Sequence, residues 1–312
     1  MTTDTFIHRA VLLNESIAGL NIKPDGIYID ATFGRGGHSA EILKQLSSKG
    51  RLIALDRDDT AIVSAQRFID DPRFSIHHVA FSNIEDVVNE LELMCNIDGV
   101  LMDIGVSSPQ LDDATRGFSF QKDGPLDMRM DRSTGISAAD WLNKASLEEI
   151  TMVLKTYGEE KFGKRIAHGV LEQRVIKPLE TTSEFAQLID KAVPVKDKFK
   201  HPATRSFQGV RIFINGELDQ LNQGLEGAVK VLKSGGRLAV ISFHSLEDRV
   251  VKRFIRTMSK GKDVPHGMPI MQHEIDADKV VKAIGKAVKP SAEEIAQNVR
   301  SRSSVLRVAE KL

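Results

Sequence analysis

The thirteen residues Ile27-Tyr28-Ile29-Asp30-Ala31-Thr32-Phe33-Gly34-Arg35-Gly36-Gly37-His38-Ser39 constrain this chain more than any other stretch. They read as a buried strand ending in an acid, a turn with three glycines in four positions, and the start of a helix. Without Cβ atoms such a turn lets a ligand approach the backbone. The helix expected over 39–46 then aims its unsatisfied N–H groups at that ligand. A strand-to-helix turn that binds nothing shows the same pattern, so the glycines alone decide little.

A second acid adds weight. Arg51-Leu52-Ile53-Ala54-Leu55 is another short apolar strand, and it ends in Asp56, twenty residues beyond Gly36. That spacing sets a carboxylate where a ribose diol would sit. A full dinucleotide fingerprint needs a third glycine at position 39, where the chain has Ser39, so close packing around a pyrophosphate is not supported. A nucleoside without phosphates fits better. The candidate is S-adenosylmethionine, with Asp56 on its ribose and the glycine turn facing its amino-acid moiety.

The pattern continues through a helix opened by Asp59 and a third strand over 74–79. Phe81 lies just past that strand, where a mononucleotide-binding sheet sets a ring against a purine; ordinary core packing is its competing role. A fourth strand, Gly99-Val100-Leu101-Met102-Asp103, again ends in an acid. In open parallel sheets ligands bind outside the carboxyl ends of the strands, so Asp30, Asp56 and Asp103 recurring there point to a binding site rather than to packing.

After Asp103 the alternation breaks. A strand-helix-strand unit needs about 30 residues, yet the next convincing strand, over 236–243, begins 133 residues later. Amphipathic helices are expected over 138–142, 147–157, 161–173 and 183–192, which makes residues 135–209 an all-helical insertion. The expected architecture is α/β, a Rossmann-like, mostly parallel sheet formed by 1–134 and 210–312 and interrupted by that insertion. A helix over 212–232 returns to the sheet. The tail carries a segment rich in Lys, Gly and Pro, then an alternating strand over 304–309 that could close the sheet. A helix over 10–20 is expected beside the glycine turn as a lid.

Composition matters chiefly through its asymmetry. The 312 residues hold 43 basic and 43 acidic side chains, but residues 1–110 hold 9 and 16, net −7, which leaves net +7 for the rest. An acidic half suits a neutral or cationic small ligand and a basic half a polyanion. Scattered surface charge would produce the same counts. The single Cys95 excludes a disulfide framework or a cysteine-cluster metal site. No apolar run approaches the roughly 20 residues of a membrane helix, and residues 1–9 lack a signal core; the expected location is the cytoplasm. His77 and His78 alternate across a strand and so cannot share a metal, and no sequence feature requires one.

Beyond Asp103, Ile104-Gly105-Val106-Ser107-Ser108-Pro109-Gln110 is a short polar loop suited to an acceptor. Arg116-Gly117-Phe118-Ser119-Phe120 offers aromatic surface for a base taken out of a stack, against a core role for Phe118 and Phe120. The run 123–131 carries too many charges for a core segment and is read as a loop over the site. Lys196-Asp197-Lys198-Phe199-Lys200-His201-Pro202-Ala203-Thr204-Arg205 is the best RNA candidate, a basic loop with one aromatic, in which Lys198, Lys200 and Arg205 would meet phosphates. Arg249, Lys252, Arg253 and Arg256 could extend that face. His244-Ser245 near Glu247 and Asp248 reads as a helix cap around Ser245, since no nucleophile elbow precedes it.

The segments 8–15, 30–39, 103–110, 116–131, 201–217, 235–249 and 300–310 together resemble the bacterial 16S ribosomal RNA cytosine-N4 methyltransferases nearly end to end. The resemblance implies a class I methyltransferase fold with an inserted helical domain, and methylation of a cytidine in the decoding centre. It implies a donor site of Gly36, Gly37, His38, Asp56, Phe81, Asp103 and Gln110. Enzymes that methylate exocyclic amines resemble one another in a polar-Pro-Pro-aromatic motif after the fourth strand. Ser108-Pro109-Gln110 matches it in part and lacks the second proline and the aromatic.

Cytosine N4 is a weak nucleophile facing an activated sulfonium methyl, so the enzyme must align and polarise. The expectation is in-line transfer with Asp103 or an oxygen of the Ser107-Ser108-Pro109 loop accepting an amine proton. The implied partner is 16S rRNA or the small ribosomal subunit, with no membrane. An amino-methyltransferase of DNA or another RNA, and an S-adenosylmethionine sensor that grips RNA without catalysis, are the alternatives. Sequence leaves the choice between naked RNA and assembled subunit open, as it does a homodimer.

Overall fold

The computed structural model describes residues 10–198, 200–261 and 276–312. The chain divides into two compact units, 1–105 with 218–312, and 106–217. The second is longer than the 135–209 expected for the insertion, because residues 116–130 supply part of its core.

In the first unit seven strands form one sheet in the order β3-β2-β1-β4-β5-β7-β6. These are β1 (Ile27–Asp30), β2 (Arg51–Asp56), β3 (Phe74–His78), β4 (Ile97–Asp103), β5 (Leu232–Ser242), β6 (Val281–Val288) and β7 (Val305–Lys311). The pairs β1–β2, β1–β4, β2–β3 and β4–β5 are parallel, whereas β7 runs antiparallel to both β5 and β6. This is the Rossmann-like sheet expected, with one departure: β7 does not close an edge but lies between β5 and an unanticipated edge strand. The strand order reverses between β1 and β4, and the crevice outside the carboxyl ends at such a switch point is where ligands bind.

Both faces of the sheet are covered. Ile29, Ile53, Val100, Met102 and Val240 pack toward α4 (Ile84–Glu90) and α11 (Glu217–Val231), while Tyr28, Leu52, Ala54, Leu101 and Ile241 share the opposite core with Leu12, Leu20 and Ile42. Such near-continuous burial is what a parallel strand covered on both faces requires. Helix α1 (Leu13–Leu20) belongs to that second core instead of forming a lid: a Cβ on Gly19 would lie 2.8 Å from Val308, and Leu20 packs on Gly99.

The second unit is a helical bundle of α6 (Ala138–Lys144), α7 (Leu147–Thr156), α8 (Gly163–Ile176), α9 (Thr182–Ala192) and α10 (Ala203–Asn215), close to the helices expected. Capping boxes at Ser137, Ser146 and Thr181 start three of them, each satisfying two otherwise orphaned donors. The helix expected over 212–232 is two, α10 and α11, because Gly216 adopts φ +57 and ends the first. A left-handed glycine is the commonest helix stop.

The charged run 123–131 is core lining and not a loop over the site. Leu126, Met128 and Met130 alternate into the bundle beside Phe118, and Asp127 and Arg129 between them pair at 2.7 Å. Met128 adopts φ +63, so the chain turns between the two charged residues while its apolar side chains stay on the bundle side.

Candidate active site

The site in the first unit is built at the switch point. At the end of β1, Asp30 is 1% exposed; its Oδ2 accepts the Ser39 hydroxyl at 2.6 Å and its Oδ1 the Thr32 amide at 3.3 Å. Burial pushes its pKa up to about 6, against the pull of those hydrogen bonds. At the end of β2, Asp56 accepts the Gly34 amide at 2.7 Å and the Asp58 amide at 2.9 Å, one on each oxygen. Burial raises its pKa too. The Arg57 amide also donates to this carboxylate, which leaves at least one lone pair for a ligand hydroxyl.

Asp103, at the end of β4, is the least satisfied of the three. Its amide donates to Thr32 Oγ1 at 2.6 Å, and its Oδ2 lies 3.8 Å from His38 Nδ1. Its Oδ1 is buried with no hydrogen-bond partner among the described residues. Burial holds its pKa well above the usual carboxylate range, with the charges of Asp30 and Glu247 adding to the effect. Among the described residues no Lys or Arg forms an ion pair with Asp30, Asp56 or Asp103. A buried carboxyl without a countercharge is pushed toward its protonated form, and a cation relieves that push.

The glycine turn fits around these acids. Gly34 and Gly36 adopt φ +55 and +67, and a Cβ on Gly36 would stand 2.7 Å from the rings of Phe33 and Phe68. Helix α2 (Gly37–Gln45) follows with no side-chain cap. Ser39 turns its amide to Asp30 as well as its hydroxyl, so part of the helix N-terminus expected to face a ligand serves Asp30 instead. His38 is buried, its Nε2 3.1 Å from the Val11 carbonyl. That carbonyl can only accept, so Nε2 carries a hydrogen, and Nδ1 is the ring nitrogen on the Asp103 side.

Phe81 opens a short turn beyond β3 and is half-buried, its ring packed where a Cβ on Gly224 of α11 would come within 2.5 Å. One side of the ring therefore belongs to the core. Two residues that sequence reasoning treated only as a cap also border the cluster. Glu247, in the first turn of α12 (Ser245–Met258), is fully buried; its Oε2 accepts the Phe243 amide at 2.8 Å and its Oε1 lies 3.0 Å from His244 Nε2. The cap itself is His244 and not Ser245, in a capping box with Glu247. The signal available was an acid just past a fifth strand, on the same edge as the other three.

The remaining expected residues lie in the second unit. Ser107 caps the short helix α5 (Ser108–Asp112): its hydroxyl receives the Gln110 amide at 3.4 Å, and Gln110 Oε1 receives the Ser107 amide at 2.8 Å. Ser107 and Gln110 therefore spend these groups on the helix start, with Pro109 in the first turn, where no donor is missed. Ser108 is half-buried and its hydroxyl makes no hydrogen bond among the described residues.

Arg116, the first residue of the segment expected to hold a base, is a correction: it is buried, donates to the carbonyls of Arg129 at 3.2 Å and Met130 at 2.8 Å, and so braces a loop. Phe118 is buried in the helical core, and Phe120 packs against His201 at 4.6 Å and Phe207 at 4.9 Å. Phe118 therefore offers no free face for a base, whereas Phe120 remains partly exposed. Lys198, Lys200 and Arg205 are exposed, as a phosphate-contacting loop requires; Phe199 lies outside the described residues.

Comparison with known proteins shows the family. The chain is 67% identical over 307 residues to the ribosomal RNA small subunit methyltransferase H of Alteromonas mediterranea, and 65% identical over 305 residues to that of Pseudoalteromonas atlantica, covering 98% of each chain in both cases. It is 60% identical over 310 residues to the protein of that name from Shewanella loihica, covering 99% of each. Residues 5–312 match the model of the MraW methylase family, and the chain belongs to that family.

Proposed function

We propose that this methyltransferase transfers a methyl group from S-adenosylmethionine to the exocyclic N4 of a cytidine in the decoding centre of 16S rRNA, acting in the cytoplasm on the small ribosomal subunit. The observation that carries the reading is Asp103: a buried carboxyl oxygen with no partner, among acids with no Lys or Arg paired to them. The donor is cationic at its sulfonium and its ammonium group, and supplies a methyl already activated for transfer. The residues present fit it. Asp30 and Asp103 suit the donor's positive charge, the remaining amides at the start of α2 suit its carboxylate, and Asp56 retains acceptor capacity for a ribose hydroxyl. The turn Gly36-Gly37-His38 admits a close approach, and Phe81 would border the adenine.

What the chain's own groups do follows from their protonation. A cation in the cluster lowers the pKa of Asp103 and frees Oδ1 as an acceptor. An N–H of the cytosine amine donating to that oxygen would localise the nitrogen lone pair on the attacking side. His38 Nδ1 lies 3.8 Å from Oδ2, beyond direct hydrogen-bond reach, and would have to close on Asp103 to share the proton that leaves. Ser108, five residues on in the chain, is the hydroxyl of the following loop not already used in a cap. No structural observation or relative supports the homodimer left open by the sequence.

The decisive experiment incubates the protein with methyl-labelled donor and, in parallel, unmodified small subunits, protein-free 16S rRNA and duplex DNA, then maps the labelled nucleotide. Label at one cytidine N4 of the ribosomal substrate is the expected result. Label on DNA, or donor binding with no transfer to any substrate, would replace the proposal with one of the two alternatives.

A further inference from the structure

Helix α12 links the acidic cluster to a second feature of the first unit that the reaction does not use. Its buried face holds Leu246, Glu247, Val251 and Ile255, and its exposed face Arg249, Lys252, Arg253 and Arg256. Where its last two turns meet β6 and β7 there is a groove of about 450 Å³. The floor is aliphatic, from Ile255, Ile284 and Val308, and the rim carries Lys252, Arg256 and Lys286. At Gly285 (φ +66) the β6–β7 register breaks, so the strand bulges and Lys286 stands exposed at the rim.

The charge of this groove is one-sided. No Asp or Glu among the described residues lines it, and Asp248, on the same helix, is consumed by a two-pronged pair with Arg307 at 2.7 and 3.0 Å. Lys252, Arg256 and Lys286 form no ion pair among the described residues. Other exposed lysines of this unit do find acids, Lys230 with Glu85 and Lys282 with Glu310. Three cations without partners in a chain of zero net charge leave a local positive potential that a polyanion would neutralise. Lys252 and Arg256, four apart on a helix, present their charges on one side about 6 Å apart. A concave rim of this kind grips a strand and cannot lie flat on a bilayer.

We propose that the groove between α12 and the β6–β7 edge is a docking site for the sugar–phosphate backbone of ribosomal RNA, with Lys252, Arg256 and Lys286 on phosphates and sugars over the aliphatic floor. The proposal rests on the reading above, that the substrate is ribosomal RNA, and extends it to the nucleotides flanking the target. From Glu247 to Arg256 is nine residues of helix, roughly 14 Å at 1.5 Å per residue. A strand whose target base enters the acidic cluster reaches the groove within a few nucleotides. The groove would thus fix the direction in which the RNA leaves the site.

The test uses the full chain with Lys252→Gln, Arg256→Gln and Lys286→Gln combined, and measures binding to unmodified small subunits between roughly 50 and 200 mM salt. Three lost phosphate contacts predict a log–log salt slope shallower by about 2 to 3. The KM for subunits should rise about tenfold at the low-salt end, while kcat and donor affinity by calorimetry stay unchanged. Lys286→Glu alone, on the exposed bulge, keeps the test valid if the triple variant folds poorly, and should lower the slope by about 1. Wild-type affinity and slope in both variants overturn the proposal. So does displacement of subunits by poly-glutamate as effective as by polyuridylate of equal charge, which would point to an acidic protein instead. Groove-dependent binding by a wild-type protein that methylates nothing on the subunit would sink the proposed reaction and leave the groove standing.

Discussion

Two regions of this chain are dense in charge, and they handle it in opposite ways. In residues 123–131 of the second unit each charged side chain with a resolved role is used locally: Asp123 accepts the Ser183 amide at 3.0 Å, Asp127 pairs with Arg129, and Asp131 accepts the Ser133 amide at 2.8 Å. The pKa values of Asp123 and Asp127 are lowered, the first chiefly by that amide and the second by Arg129 against the burial that raises it. At the edge of the sheet, Asp30, Asp56 and Asp103 are all raised, with burial the largest cause and no ion pair to a Lys or Arg among the described residues. Charge satisfied within the fold is architecture. Charge left unsatisfied at a sheet's carboxyl edge costs the apo protein stability, and persists because a ligand completes it.

The sharpest way to break this comparison is Asp103→Asn. The amide keeps the shape but cannot accept the amine proton, so methyl transfer to small subunits should fall by about 10²- to 10⁴-fold. Melting temperature at pH 7.5 should not fall, because the substitution removes an uncompensated acid. A variant that transfers at the wild-type rate would return Asp103 to the role of a packing residue.

The opposite region makes the opposite prediction. Phe118→Ala, inside the helical core, should destabilise the protein by about 3 to 5 kcal/mol in denaturant unfolding. At temperatures where the variant remains folded, affinity for subunits should be unchanged. A variant that folds normally but loses its substrate would restore Phe118 as a stacking surface for a flipped base.

Next in size is a pH effect confined to the acidic edge. The folded pKa of Asp30, about 6, lies above the ordinary 3.8, so the folded chain binds the proton more tightly than the unfolded one. Its contribution to stability is therefore full below about pH 4 and is lost as pH rises through about 6, by on the order of 3 kcal/mol for a shift of roughly two units. Asp103 works in the same direction. Unfolding free energy measured from pH 4 to 7.5 should decline with pH on account of these groups, and Asp30→Asn should flatten the decline. Added donor should restore more stability at pH 7.5 than at pH 5, since its cation favours the ionised acids. Equal stabilisation by donor at both pH values would disconnect the cluster from the ligand.

The same contrast explains what could be read without coordinates. Strands β1, β2 and β4 are short apolar runs ending in Asp30, Asp56 and Asp103, so local pattern is enough to locate both strand and ligand edge. Strand β6 escaped because only Val281 of its eight residues is buried and Gly285 interrupts it. An edge strand facing water has no hydrophobic alternation to detect, and missing it misplaced β7 at the sheet's edge. In the run 123–131 the charges drew attention from Leu126, Met128 and Met130 at every second position, which carried the structural signal. Within the site, the types of Asp103 and His38 were legible, but their 3.8 Å approach joins residues 65 positions apart. No local spacing encodes it. The role of Asn215, which clamps the loop through the Met130 amide at 2.8 Å and the Met128 carbonyl at 2.7 Å, is equally non-local.

The smallest effect separates two adjacent hydroxyls. Ser107 caps α5 through the Gln110 amide, so Ser107→Ala should cost about 1 kcal/mol of stability and affect methyl transfer only as far as the loop loosens. Ser107→Asp, another good cap, should recover that stability. Ser108 has no hydrogen bond to lose, so Ser108→Ala should leave the denaturation midpoint where it is and lower kcat, with KM for the donor unchanged. The pair distinguishes a serine that shapes the loop from one that faces the reacting amine. If instead Ser107→Ala lowers kcat without moving the midpoint while Ser108→Ala is silent, the roles are exchanged, and the capping geometry of the free protein must open before the substrate amine is held.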